Sequence, residues 1–71
     1  MLKLRDLLAT IDRNTVICIC DEMGPHTDVK PWGEIPAMSV MGILDREVER
    51  IYIDNSDNSL TIELVDMDYD D

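Results

Sequence analysis

The sequence predicts an α+β fold: an N-terminal helix packed on a small, mostly antiparallel sheet of three or four strands that ends in a C-terminal β-hairpin. Three observations carry this prediction. Leu4, Leu7, Leu8 and Ile11 recur at helical spacing. Thr15 to Cys20 is a run rich in β-branched residues. Two alternating segments, Glu49–Asp54 and Leu60–Leu64, flank the turn-forming Asn55-Ser56-Asp57-Asn58.

The apolar stripe of the first segment predicts a helix from about Leu2 to Asp12, with Lys3, Arg5, Asp6, Asp12 and Arg13 off the stripe. Asn14 is a residue type that takes the left-handed conformation at a helix end. In the strand that follows, Val16, Cys18 and Cys20 alternate with Ile17 and Ile19. Both faces are apolar, which predicts a strand that is central or covered on both sides. Residues 21–36 are punctuated by Gly24-Pro25, Pro31, Gly33 and Pro36 and read as loop, with room for a short extended piece near Asp28 to Trp32. Pro36 suits an early helical position, and Gly42 argues against a long helix, so one or two helical turns are expected between Pro36 and Arg46.

The hairpin has a definable register. A four-residue loop pairs Asp54 with Ser59, and counting back pairs Ile53 with Leu60, Tyr52 with Thr61, Ile51 with Ile62, and Arg50 with Glu63. Ile51, Ile53, Leu60, Ile62 and Leu64 then share one face, while the other sets Arg50 against Glu63 and Tyr52 against Thr61. A slip of one residue would scramble both faces. Residues 1–65 form the single domain, and 66–71, with four aspartates in six positions, read as a flexible acidic tail.

Composition excludes several functions. The chain has 71 residues and a formal net charge of −10, from 16 Asp plus Glu against 6 Lys plus Arg. That length leaves no room for a two-domain cleft. The charge opposes direct contact with nucleic-acid phosphates or an anionic membrane. No apolar run is long enough to span a bilayer, and no secretory signal is visible. With only Cys18 and Cys20 there is no disulfide framework, so a reduced, cytoplasmic protein is expected. The acids are unevenly spread: residues 1–44 carry six acids and four bases, and residues 45–71 carry ten acids and two bases. The functional reading is an acidic surface for a basic protein partner, made of Glu49, Asp54, Asp57, Glu63, Asp66, Asp68, Asp70 and Asp71, with Trp32 as an apolar anchor. The plainer reading is a solvated surface, with Trp32 as a lid on a core that lacks Phe.

No catalytic constellation is legible, and neither an enzyme, a metal site nor a cofactor is expected. Cys18 and Cys20 point to one strand face, a poor arrangement for a metal, and are expected as buried core thiols. A site drawn from them with Asp21 and His26 is a third-ranked reading, because a lone loop histidine is more often plain surface. The Asp54 to Ser59 stretch looks like a calcium loop but lacks the glycine and closing glutamate.

The order of features, Leu4-Arg5-Asp6-Leu7-Leu8, Thr15-Val16-Ile17-Cys18-Ile19, Gly33-Glu34-Ile35-Pro36, Leu44-Asp45-Arg46-Glu47-Val48, Ile51-Tyr52-Ile53 and Leu60-Thr61-Ile62-Glu63, resembles short proteins encoded by phages and prophages of Firmicutes-type bacteria. The resemblance implies a mobile-element origin. It also implies a role in binding and blocking a host nucleic-acid-binding or defence protein, such as a CRISPR effector, in some cases by imitating nucleic acid. The alternative is a homo-oligomer, a homodimer in the simplest case, with a structural or regulatory role, since a small sheet leaves open edges.

Overall fold

A computed structural model describes residues 2–66. It is a small α+β domain in which one short helix, α1 (Leu4–Leu8), accompanies a mixed sheet of β1 (Val16–Asp21), β2 (Gly24–Pro25), β3 (Lys30–Pro31), β4 (Val48–Asp54) and β5 (Ser59–Leu64). The sheet order is β2-β1-β5-β4, and β3 also pairs with β1.

The helix is shorter than its apolar stripe predicts, for identifiable reasons at both ends. Leu2 and Lys3 are extended because they lie against the start of β4: Lys3 bridges Glu47, the Val48 N–H donates to the Leu2 carbonyl at 2.8 Å, and the Leu4 N–H donates to the Arg46 carbonyl at 2.8 Å. After Leu8 the bonds tighten to one residue shorter, Thr10 N–H to the Leu7 carbonyl and Ile11 N–H to the Leu8 carbonyl. The chain is then turned by Asp12, whose carboxylate accepts from the Asn14 N–H at 2.8 Å. Asn14 is therefore not the left-handed stop; among the described residues only Asn58, outside glycine, has a positive φ, 59°.

The predicted hairpin register is the observed one, from Asp54↔Ser59 through Arg50↔Glu63. One irregularity follows: Glu49 is an extra residue between Val48, which pairs with Leu64, and Arg50, which pairs with Glu63. Three of the four strand pairings among the described residues are antiparallel, and the exception is at the centre of the sheet, where β1 and β5 run parallel with Ile17↔Leu60, Cys18↔Thr61, Ile19↔Ile62 and Cys20↔Glu63. The stretch read as loop contributes a broken edge strand, whose second part, β3, falls within the extended piece expected near Asp28 to Trp32. β2 and β3 both pair antiparallel with β1, on the edge away from β5. Between them the Thr27 hydroxyl stands in for a backbone acceptor and takes the Ile19 N–H at 3.1 Å. The short helix expected after Pro36 is a 3-10 turn, Ala37–Ser39, preceded by another at Trp32–Glu34.

Strand β1 is central, as expected, between β2 and β5, and the apolar core lies on one face of the sheet. Ile17, Ile19, Ile62 and Leu64 form the core with Leu4 and Leu8 of α1 and with Ile35, Val40 and Ile43 of the long connection. Cys18 and Cys20 point to the other face and are half-buried, so the expectation of core thiols is corrected. Ile51 and Ile53 share the core face by register but remain exposed, whereas Val48 of the same strand packs against the core.

Candidate functional site

The end of β1 nearest the C-terminal part of the chain gathers most of the charged side chains that the fold brings together. Asp21 is the last residue of β1, and its side chain is only 4% exposed. Its Oδ2 lies 2.8 Å from His26 Nε2 and accepts from Arg46 Nη1 at 2.6 Å, while Oδ1 accepts from the Met23 N–H at 2.8 Å. Arg46 continues to the Val65 carbonyl through Nη2 at 2.7 Å. The hydrogen bonds from His26 and Arg46 hold the Asp21 carboxyl far below the usual carboxylate range, against the burial that opposes ionisation. His26 is thus not a plain surface histidine. It is half of a clamp that ties the β1–β2 turn to the segment ahead of β4.

Above this clamp a shallow depression is lined by Asp21, Glu22, Glu49, Glu63, Leu64 and Asp66. Three separate stretches of chain meet in it. The parallel pairing of Cys20 with Glu63 brings the β1–β2 turn beside the end of β5, and the bulge at Glu49 sits across from Glu63 and Leu64. Glu63 is partly neutralised: its Oε1 accepts from Arg50 Nε at 2.6 Å and its Oε2 from the Tyr52 hydroxyl at 2.9 Å. Those two bonds lower the Glu63 carboxyl below its ordinary value and raise the Tyr52 phenol and the Arg50 guanidinium. Glu22, Glu49 and Asp66 make no ion pair among the described residues.

Of the acids proposed from sequence, Glu49, Glu63 and Asp66 come together. Asp54 and Asp57 lie at the opposite end of the hairpin and serve its turn. Asp54 Oδ1 accepts from the Ser56 N–H at 2.9 Å and from its hydroxyl at 2.7 Å, and Asp57 Oδ1 accepts from the Ser59 N–H at 3.0 Å. Asp68, Asp70 and Asp71 lie outside the described residues. Glu22 was not singled out by its surroundings in the sequence. Its membership depends on the two-residue turn between β1 and β2 and on the parallel β1–β5 pair, neither of which leaves a local signal.

Trp32 belongs elsewhere. It packs against the core and lines an apolar groove between α1 and the 3-10 segment with Leu8, Ile11 and Met41, edged by Arg5 and Arg13. Its backbone is anchored too: the Trp32 N–H donates to the Thr15 carbonyl and the Gly33 N–H to the Arg13 carbonyl, both at 2.8 Å. A side chain at Gly33 would meet Arg13 Cβ at 3.1 Å.

Both thiols are raised above their ordinary value. Burial, then the charges of Asp57, Asp28 and Asp54, push the Cys18 thiol up; burial, then Cys18 and Glu63, push up Cys20. Both stay protonated near neutrality. Asp21 and His26 do meet, but without either thiol, and among the described residues no cluster of three or more His, Cys, Asp or Glu could hold a metal ion. No helix among them is long and apolar enough to cross a membrane. Comparison with protein-family models, curated proteins and solved structures found no match.

Proposed function

We propose that the protein is a non-catalytic binding module that offers an acidic surface to a basic protein partner. The carrying observation is the convergence of Glu22, Glu49, Glu63 and Asp66 from three parts of the chain onto one depression. Asp21 and Arg46 beneath it hold the backbone that presents them. A fixed array of carboxylates accelerates encounter with a cationic surface and selects against anionic ones. The resemblance to phage- and prophage-encoded proteins directs the partner class toward a host nucleic-acid-binding or defence protein, whose basic groove the acids would occupy in place of phosphates.

The test compares the native chain with a Glu22→Lys/Glu49→Lys/Asp66→Lys variant as bait in extract of a bacterial host, at low and high salt. The expected result is a basic nucleic-acid-binding protein captured by the native chain at low salt, released at high salt, displaced by added duplex DNA, and not retained by the variant. Equal capture by the variant, or capture indifferent to salt, sinks the reading. A second reading, a homo-oligomer with a structural or regulatory role, is favoured by a different observation: β4 ends the sheet order, and above Val48 its outer edge has no strand partner among the described residues.

A further inference from the structure

We propose that two copies of the chain join through the outer edge of β4, strand against antiparallel strand, in a register centred on Tyr52. The lower part of that edge is closed. Lys3 bridges Glu47, Leu2 accepts from the Val48 N–H, and the bulge at Glu49 interrupts the strand just above. From Arg50 to Asp54 the strand is regular and uncovered, and it carries Ile51, Tyr52 and Ile53 at 40%, 42% and 55% exposure. Proteins usually blunt such an edge with charges, proline or a covering element. Here the blunting stops where three large side chains begin.

The residue pattern selects the occupant. With Tyr52 on a two-fold axis normal to the sheet, Tyr52 faces Tyr52 of the second copy, Ile51 faces Ile53, and Arg50 faces Asp54, the last two pairs occurring twice. Opposite charges and apolar pairs therefore fall directly across from one another. Centring on Ile51 instead sets Ile53 against Glu49, and centring on Ile53 sets Ile51 against Asn55; neither aligns a charge with its complement. Any register shifted by an odd number of residues sets the core face of one copy against the open face of the other.

The groups needed are free to pair. Arg50 bonds Glu63 through Nε, with its guanidinium carbon 5.3 Å from the Tyr52 ring centroid, and its terminal nitrogens make no hydrogen bond among the described residues; Asp54 accepts from Ser56 at Oδ1, which leaves Oδ2. In this arrangement the two sheets become continuous with their cores on the same side, and the isoleucines left uncovered on each β4 cover one another. The inference does not rest on the acidic-surface reading, and it responds to salt in the opposite sense. Two chains of net charge −10 repel, so added salt strengthens their union, whereas it weakens capture of a basic partner.

Light scattering and sedimentation of the full chain, from micromolar to submillimolar concentration at low and high salt, supply the first readout. The expected mass rises from 8.1 kDa toward twice that value, at lower concentration when salt is high. Ile53→Lys should raise the midpoint concentration by about tenfold or more, because its cost is felt on both sides of the axis. Register is read by oxidative cross-linking in a Cys18→Ser/Cys20→Ser background. Tyr52→Cys should yield a disulfide dimer, since directly opposed residues lie within bridging distance, while Ile51→Cys should not. A monomer under every condition, a dimer indifferent to Ile53→Lys, or cross-linking through Ile51→Cys in preference to Tyr52→Cys overturns the proposal. A monomer that still captures a basic partner would leave the proposed function standing, and a dimer that captures none would do the reverse.

Discussion

Asp21 shows how much one side chain can organise in a domain this small. It accepts three hydrogen bonds from two side chains and a backbone amide, and through Arg46 it joins the end of β1 to the segment ahead of β4. Because its carboxyl titrates below the ordinary 3.8, the charged form is the one the fold favours. Its contribution is complete at pH values above the ordinary carboxyl range and is lost as the pH falls from there toward the depressed native value. Replacing it by Asn should cost about 1–3 kcal/mol at neutral pH and flatten the loss of stability on acidification, measured as urea midpoints across the acid range. A second residue-scale outcome concerns Gly33. Its neighbour is Arg13, at Cβ and carbonyl, so Gly33→Ala must displace the Arg13 backbone or its own. A lower thermal midpoint and altered Trp32 fluorescence are expected together, since Trp32 is hydrogen-bonded to the same segment.

At the scale of elements, the broken strand β2–β3 is held to β1 by a side chain where a backbone group would normally serve. Thr27→Val removes the acceptor for the buried Ile19 N–H with almost no change of shape and should cost about 1–3 kcal/mol, while Thr27→Ser should retain most of the stability. Chemical denaturation of the pair of variants checks this directly. The same element marks the boundary of what the sequence could reveal. The register of the hairpin β4–β5 was legible from Asp54 to Arg50, because alternation, turn chemistry and cross-strand pairs all agreed on it, but the bulge at Glu49 left no such signal. Strand β1 was legible as a strand, and β3 falls within the extended piece expected near Asp28 to Trp32, but β2 has no periodicity to read and parallel pairing with β5 depends on a long crossover. The helix was legible as a stripe yet not in length, since Leu2 and Lys3 are drawn into contact with Glu47 and Val48 by partners distant in the chain. The site inherits these limits. Glu49, Glu63 and Asp66 were reached through local charge density, whereas Glu22 and the clamp of Asp21, His26 and Arg46 required the parallel pair to be known.

The whole molecule has a covered sheet face, an open one and a charge of −10. A domain of about this size buries a modest share of its surface and is marginally stable, so self-repulsion weighs heavily on it. Thermal stability should therefore rise with added monovalent salt over the range in which surface charges become screened, and the rise should be smaller in the Glu22→Lys/Glu49→Lys/Asp66→Lys variant. Calorimetry at several ionic strengths gives the comparison. A fall in stability with salt would mean that attractive pairs such as Arg5–Asp45 and Arg50–Glu63 outweigh the excess of acids.

The parallel pairing of β1 with β5 has a consequence for how the chain comes into being. Of the two strands at the middle of the sheet, Val16–Asp21 leaves the ribosome well before Ser59–Leu64. Until residues 60–62 are free, Ile17 and Ile19 lack Leu60 and Ile62 as strand partners, and their pairing is limited to β2 and β3, with α1 and the connection as packing neighbours. Closing so long a loop before any central contact forms is entropically slow. The nascent polypeptide thus has little to gain from folding in stages, and a product terminated before Ser59 would leave its isoleucines bare to proteases and chaperones.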